Sequence, residues 1–214
     1  MQIITTSDGS HSVYSPQFDE AYHSSFGAMQ EAEYIFINKG LLYTAKTSLQ
    51  VLEIGFGTGL NAFLTSVYGN NISIHYTGIE RFPLSVEEAN QLNFASFFPE
   101  QKAWFTGIHQ AEWGSFQRIN ENFQLCKVQA DVLHIDFAKE QYDVVYFDAF
   151  SPEKQPEMWT ESVFTRIFEA CKPGAVFTTY CCKGYVRRLL QGVGFTVERL
   201  PGPIGKRQIL RAIK

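Results

Sequence analysis

Residues 51–61 read V-L-E-I-G-F-G-T-G-L-N and hold the densest chemistry in the chain. An apolar run at 49–54 carries the acid Glu53 near its end. Gly55, Gly57 and Gly59 follow at alternate positions, then a helix-compatible stretch with Asn61 near its start. This order predicts a strand, a tight turn and a helix N-terminus. Glycines there let a ligand approach the backbone, and free N–H groups at the helix start attract a carboxylate or phosphate. The spacing is G-x-G-x-G, not the G-x-G-x-x-G of dinucleotide sites. Glu53 would also repel a pyrophosphate. An acid in that place suits a ligand with donors or positive charge, such as S-adenosyl-L-methionine (AdoMet), which carries an ammonium, a carboxylate and a sulfonium. A glycine-rich βα turn without a ligand is the alternative for this segment taken alone.

Three further acids fall at matching places. Residues 72–80 (N-I-S-I-H-Y-T-G-I-E from Asn71) alternate in polarity and end in Glu80, about twenty residues past the glycines. In a nucleotide-binding βαβ unit an acid at that distance accepts hydrogen bonds from ribose hydroxyls; by itself it reads as a solvated strand end. Asp131 follows a short strand and is placed to read an adenine amino group, though an Asp there is common. Asp148 ends the most apolar stretch of the chain, Y-D-V-V-Y-F-D at 142–148, and opens the loop D-A-F-S-P-E-K-Q-P-E-M-W. An acid closing such a strand costs desolvation unless something pairs with it, and an amine substrate is such a partner. Phe150, Pro152, Pro156 and Trp159 make that loop stiff and apolar, able to stack on a planar ring or to plug the core.

The elements that must position these residues follow an α/β alternation. A hairpin around Asp8-Gly9, a Ser15-Pro16 turn and an apolar stretch at 34–43 make up an N-terminal extension, residues 1–48. Residues 49–214 then predict strands at 49–54, 72–80, 125–131, 142–148, 175–180, 195–200 and 207–213. Helices are predicted at 59–68, 84–93, from a Thr160 cap to a Lys172-Pro173-Gly174 stop, and at 184–192. The fold class is α/β, a doubly wound, mostly parallel Rossmann-like sheet with the 142–148 strand near its middle and its ligand crevice beyond the strands' carboxyl ends.

Composition bounds the rest. A chain of 214 residues with 45% hydrophobic content can bury a core without staples. No secretory signal or bilayer-spanning run is evident, so no membrane association is expected. The four cysteines lack zinc or C-x-x-C spacing, which reads as reduced thiols in a cytoplasmic protein and gives no metal site. Charge is asymmetric: from Lys183 onward eight basic residues face Glu198 alone, a net of +7, which leaves −11 for residues 1–182 of a chain whose formal net charge is −4. That segment either steers a polyanion to one face or is a set of solvated surfaces.

Taken together, these stretches resemble the methyltransferase domain of the MnmC-type family. The likeness runs through D-G-S-H-S-V-Y-S-P at 8–16, Y-H-S at 22–24, G-A-M-Q-E-A at 27–32, the glycine motif, the D-A-F-S-P-x-x-x-P-E-M-W loop, T-T-Y at 178–180, V-R-R-L-L at 186–190, G-V-G-F at 192–195 and G-K-R at 205–207. The glycine motif is shared by many methyltransferases, whereas the loop and the terminal K-R are far more particular. The resemblance implies a class I methyltransferase sheet with an antiparallel last strand, AdoMet as cofactor, and methylation of the aminomethyl group of 5-aminomethyl-2-thiouridine at the wobble position of tRNA. It implies that Glu53, Gly55, Gly57 and Gly59, with Asn61, cradle methionine, that Glu80 holds the ribose, that Asp131 faces adenine, and that Asp148 with Phe150 forms the reaction pocket. Tyr14, His23 and Glu31 fall in matching motifs near the substrate, and Lys183, Arg187, Arg188, Lys206 and Arg207 would contact tRNA phosphates. Gln155 replaces the family's usual Asn. Many relatives continue into a flavin-dependent oxidoreductase domain beyond the point where this sequence stops, so methylation without FAD, and with no obligate protein partner, is expected.

Three other readings have distinct signatures. A spermidine-synthase-like aminopropyltransferase, or another small-molecule amine methyltransferase, shares the sheet and the aspartate, but the basic C-terminal segment would repel a polyamine. A non-catalytic tRNA-binding module would have no use for Glu53, Glu80 and Asp148. An NAD dehydrogenase would need different glycine spacing.

Overall fold

The computed structural model describes residues 2–214. β1 (Gln2–Thr5), β2 (His11–Ser15) and β3 (Glu20–Ala21) form a small antiparallel sheet. The Asp8-Gly9 turn closes its first hairpin, with Gly9 at φ +84°. Asp8 then does more than turn the chain. Its Oδ1 accepts from Ser10 N–H and its Oδ2 from Gln30 N–H, while Ser10 Oγ accepts from the N–H groups of Ala28 and Met29. The D-G-S motif thus satisfies the open N-terminal donors of α1 (Ala28–Ala32). That helix continues to Asn38 with one wider turn, closed by the Lys39 N–H on the Tyr34 carbonyl.

The main sheet begins with β4 (Ser48–Ile54), α2 (Leu60–Tyr68) and β5 (Ser73–Glu80). Next come α3 (Val86–Ala89), α4 (Lys102–Gln110), β6 (Phe116–Arg118), β7 (Phe123–Gln129) and β8 (Tyr142–Phe147). The chain ends with α5 (Glu161–Ala170), β9 (Cys171–Thr179), α6 (Gly184–Gly192), β10 (Thr196–Pro201) and β11 (Gln208–Ile213). The strand order is β10-β11-β9-β8-β4-β5-β7-β6. β11 runs antiparallel to both neighbours and β6 antiparallel to β7; the other pairs are parallel. The expected doubly wound sheet with an inverted last strand is therefore present.

Two predicted elements differ. The helix expected at 84–93 shrinks to α3, which Ser85 and Glu88 close reciprocally as a capping box. The chain then passes through short turns at 94–101 into the unanticipated α4. Phe94 and Phe105 from this region are buried against each other and Phe105 packs on Phe63, so the aromatic packing, not helical periodicity, orders it. β9 also starts at Cys171, through Pro173 and Gly174, with a register irregularity against β8 between Tyr142 and Val144.

All six residues of β8 are buried, as a central strand covered on both faces requires. Val144 and Tyr146 point into a core shared with α1, α2 and α4. Val145 and Phe147 point into a second core with α5 and α6. Ala28, Met29, Ile35 and Phe36 belong to the first core, so residues 1–48 share the interior of the sheet domain. At the foot of β8, Asp143 binds Lys46 and Lys172 at 2.7 Å each and accepts from Gln50 N–H at 2.9 Å. Burial opposes ionisation of this carboxyl, but the two lysines hold it below its ordinary range.

Gly78 in β5 faces the turn residue Phe56: a Cβ there would lie 2.4 Å from the ring. Phe56 is itself 4% exposed and wedged edge-on against His109 and Trp113. Gly78→Ala is expected to cost roughly 1–3 kcal/mol through overpacking, read as a fall in thermal midpoint with unchanged far-UV circular dichroism. A midpoint equal to that of the unmodified protein would contradict this packing.

Candidate active site

The carboxyl ends of β4, β5, β7 and β8 open into a cleft of about 410 Å³, a volume within the ordinary range for small-molecule sites. Its centre is set by one backbone contact. β4 and β8 pair in parallel, and Asp148 N–H donates to the Ile54 carbonyl at 2.9 Å. Gly55 then passes the Asp148 carbonyl so closely that a Cβ would lie 2.5 Å from that oxygen. Its φ of +86° also favours glycine.

The turn is braced from within. The N–H groups of Gly55 and Phe56 both donate to the Ile79 carbonyl, Gly59 N–H to the Phe56 carbonyl, and Gly57 N–H to Glu80 Oε2 at 2.9 Å. The fold itself thus uses the N–H groups of all three glycines. Glu80 Oε1 accepts from Phe82 N–H at 2.7 Å, so this acid closes the turn and also lines the cleft. Gly57, at φ +51°, lies against the Tyr22 ring, which a Cβ would approach to 2.9 Å. His23 lies behind the turn, its Nε2 3.3 Å from Thr58 Oγ1 and its Nδ1 3.3 Å from Ser12 Oγ. Burial pushes this imidazole down to about 4.

Asp148 is fixed by a chain of hydrogen bonds. Asn61 Nδ2 donates to Asp148 Oδ2 and to Glu53 Oε1, both at 2.9 Å, and Tyr76 donates to Glu53 Oε2 at 2.7 Å. Burial pushes the Asp148 carboxyl up to about 7; the charge of Glu31 adds to this, while the Asn61 hydrogen bond and Lys206 oppose it. Burial likewise raises Glu53 well above its ordinary value. Glu53 is fully buried and is not among the residues that line the cleft. Its reach into the site is through Asn61.

The structure divides the expected residues into groups. Gly55, Gly57, Glu80, Asp131, Asp148 and Phe150 line the cleft with His23, Glu31 and Lys206. Gly59 lies beneath, against His109, and Asn61 borders a small pocket behind the turn together with Asp148. Tyr14 points away and donates to Asp19 at 2.6 Å on the exposed face of the hairpin. Lys183 pairs with Glu153; Arg187, Arg188 and Arg207 lie outside the cleft. Lys206 instead turns inward to Glu31 at 3.3 Å. Burial raises the Glu31 carboxyl, opposed by Lys206 and by hydrogen bonding from Ser24.

The D-A-F-S-P loop splits between the two roles open to it. Trp159 is 3% exposed, packs on Phe147 and donates to the Phe150 carbonyl, so it plugs the core. Phe150 faces the cleft, stacked on Phe18 at 4.3 Å and edge-on to Tyr22 at 5.0 Å. Phe18, Glu20 and Tyr22 are site residues not singled out from sequence. Glu20 Oε2 accepts from Ser151 N–H and Asp19 pairs with Lys154, so the β2–β3 segment clamps the loop that follows β8. Arg81, also missed, binds Asp131 at 2.9 Å beside Phe82. Its position directly after Glu80 was the available signal.

The donor set fits AdoMet. Glu31, Glu80, Asp131 and Asp148 bring carboxylates to the cleft and Phe82 an aromatic ring, a lining that suits a cationic nucleoside. The four cysteines are free, and no helix among the described residues is long and apolar enough to cross a membrane.

Comparisons agree with this reading of the cofactor. Residues 89–214 match the family described as S-adenosyl-L-methionine-dependent methyltransferase. The tRNA 5-methylaminomethyl-2-thiouridine biosynthesis bifunctional protein MnmC of Pseudomonas fluorescens is 32% identical over 218 residues, covering 91% of this chain and 32% of that protein. The protein of the same name from Leptospira interrogans is 32% identical over 212 residues, covering 92% and 33%. The chain thus spans about a third of the length of these curated relatives. Among solved structures, MNMC2 from Aquifex aeolicus superposes with a TM-score of 0.74 at 23% identity, covering 99% of this chain and 69% of that one. Spermidine synthase from Thermotoga maritima gives 0.62 at 15%, covering 100% and 72%.

The raised Asp148 carboxyl has a measurable consequence. Its folded value lies above the ordinary 3.8, so the folded protein holds an extra proton between about 4 and about 7. Stability from this group is therefore lost as pH rises through that window. Asp148→Asn is expected to flatten this part of the ligand-free stability curve; an unchanged curve would contradict the assignment. The chain belongs to the S-adenosyl-L-methionine-dependent methyltransferase family, as an MnmC-type methyltransferase domain.

Proposed function

We propose that the protein transfers a methyl group from AdoMet to the aminomethyl nitrogen of 5-aminomethyl-2-thiouridine at the tRNA wobble position, giving 5-methylaminomethyl-2-thiouridine. The observation that carries this reading is Asp148: a near-neutral carboxylate, locked by Asn61, facing a cleft built for a sulfonium-bearing nucleoside. The similarity to proteins named for this modification supports the choice of acceptor.

In this reading Glu80 holds the ribose, Gly55 and Gly57 let the methionine part lie against the turn, and Asp131, with Arg81, borders the adenine. Bound AdoMet supplies a methyl group on positively charged sulfur. The amine must be neutral and aligned opposite that sulfur, and positioning can supply much of the rate. Asp148 accepts a hydrogen bond from the amine and so directs its lone pair. Orientation is its first role. With a carboxyl raised to about 7 it can also take the proton that the methylated amine releases. Phe150, held by Phe18 and Tyr22, offers an edge of apolar surface to a splayed base. Arg187, Arg188 and Arg207 contact phosphates from outside the cleft, with Lys183 if its pairing with Glu153 opens.

Aminopropyl transfer is the second reading, favoured by the fold likeness to spermidine synthase along the whole chain. Lys206 inside the cleft and the +7 segment from Lys183 onward disfavour a polycationic acceptor. The test is mass analysis of wobble nucleosides from undermodified tRNA incubated with the protein and methyl-labelled AdoMet. Label in 5-methylaminomethyl-2-thiouridine supports the proposal; labelled tRNA without it, or no transfer, contradicts it. Asp148→Asn is expected to lower turnover roughly 10²–10⁴-fold while leaving AdoMet affinity within about tenfold.

A further inference from the structure

Glu31 from α1 and Lys206 from the β10–β11 loop meet inside the cleft, 3.3 Å apart, with side chains only 13% and 25% exposed. The second oxygen of Glu31, Oε2, is buried without a hydrogen bond of good geometry, although Ser24 lies close enough to oppose the effect of burial on the carboxyl. A buried acceptor left open inside a ligand cleft awaits a donor. Lys206 Nζ rests 4.7 Å over the Tyr180 ring, and Tyr180 in turn donates to the Ala149 carbonyl at 2.9 Å. The ammonium is thereby held to the segment that carries Asp148. The three groups feel one another, since Glu31 and Lys206 shift Asp148 in opposite senses. The cleft therefore presents an acceptor, a donor and an acceptor: Asp148, Lys206, Glu31.

A uracil with an aminomethyl group on C5 presents the complementary series along one edge. It offers an amine donor, the O4 acceptor and the N3–H donor. We propose that Glu31 and Lys206 read the imide edge of the target pyrimidine, Lys206 donating to O4 and Glu31 Oε2 accepting from N3–H. This rests on the assignment of Asp148 to the aminomethyl nitrogen. Lys206 need not release Glu31 to do so, because an ammonium has three protons to donate. Cytosine inverts both partners, setting a bare N3 against the carboxylate and an amino group against the ammonium. A site built this way rejects the wrong base through unpaired groups. The zwitterionic end of methionine also carries one donor and one acceptor group, and the experiment separates the two ligands.

The test uses the full chain and its Glu31→Gln, Lys206→Met and Lys206→Arg variants. Calorimetry gives AdoMet affinity, and initial rates at saturating AdoMet give kcat/KM on short RNAs carrying 5-aminomethyluridine or 5-aminomethylcytidine. Expected are AdoMet affinities within about threefold of the unmodified protein and a roughly 10- to 100-fold loss of kcat/KM on the uridine RNA for Glu31→Gln and Lys206→Met. Lys206→Arg, which keeps the donors, recovers most of that loss. Glu31→Gln, whose amide can donate to cytosine N3, raises the cytidine-to-uridine ratio of kcat/KM. AdoMet affinity falling tenfold or more with base preference intact would assign the pair to the methionine tail and overturn the inference. Unchanged kcat/KM would overturn it as well. Unmodified protein that binds AdoMet yet methylates neither RNA would overturn the proposed function itself, a result distinct from both.

Discussion

The site depends on the apposition of two backbone segments. Parallel pairing of β4 with β8 carries Gly55 past the carbonyl of Asp148 at a separation that leaves no room for a Cβ. That contact fixes the glycine turn and the end of β8 that leads into Asp148 to one another before any side chain is considered. The rest of the cleft is arranged around it. Glu80 and the Ile79 carbonyl hold the turn from β5, and the hairpin residues Phe18 and Tyr22 cover it from the N-terminal side.

Electrostatics then sorts the acids by what they can reach. Glu53 and Asp148 share the amide of Asn61, whose two N–H groups face two carboxylates. This geometry fixes the orientation of the Asn61 amide and leaves Asp148 Oδ1 free for the cleft. Glu53, sealed under the turn and bonded by Tyr76, steadies that arrangement. A buried acid retained in this way is stable only because each oxygen has a donor. Among the described residues, Glu31 Oε2 is a buried acceptor on the cleft side without a hydrogen bond of good geometry.

Much of this was legible in the residues. Strand periodicity, the glycine spacing and the apolar run at 144–147 gave β4, β5 and β8 and the order of the turn, because such patterns report local geometry directly. Asp148 stood out because an acid ending that strand has a desolvation cost. What the sequence left hidden depended on contacts between distant segments. Lys206 read as one basic residue in a charged tail; only the fold turns it inward to Glu31. The partners that hold Glu53, Asn61 and Tyr76, lie eight and twenty-three residues away. Region 84–110 misled because its order comes from aromatic rings packing on α2, for which helical periodicity is a poor guide.

The most direct measurement is a crystal structure of the protein with S-adenosylhomocysteine and a 5-aminomethyluridine nucleoside. The account predicts the thioether sulfur and the amine nitrogen both facing Asp148 Oδ1, with Asn61 still bridging Asp148 and Glu53. A ligand seated away from the Gly55–Gly57 turn, or Asp148 rotated off Asn61 with the amine held by other groups, would contradict it.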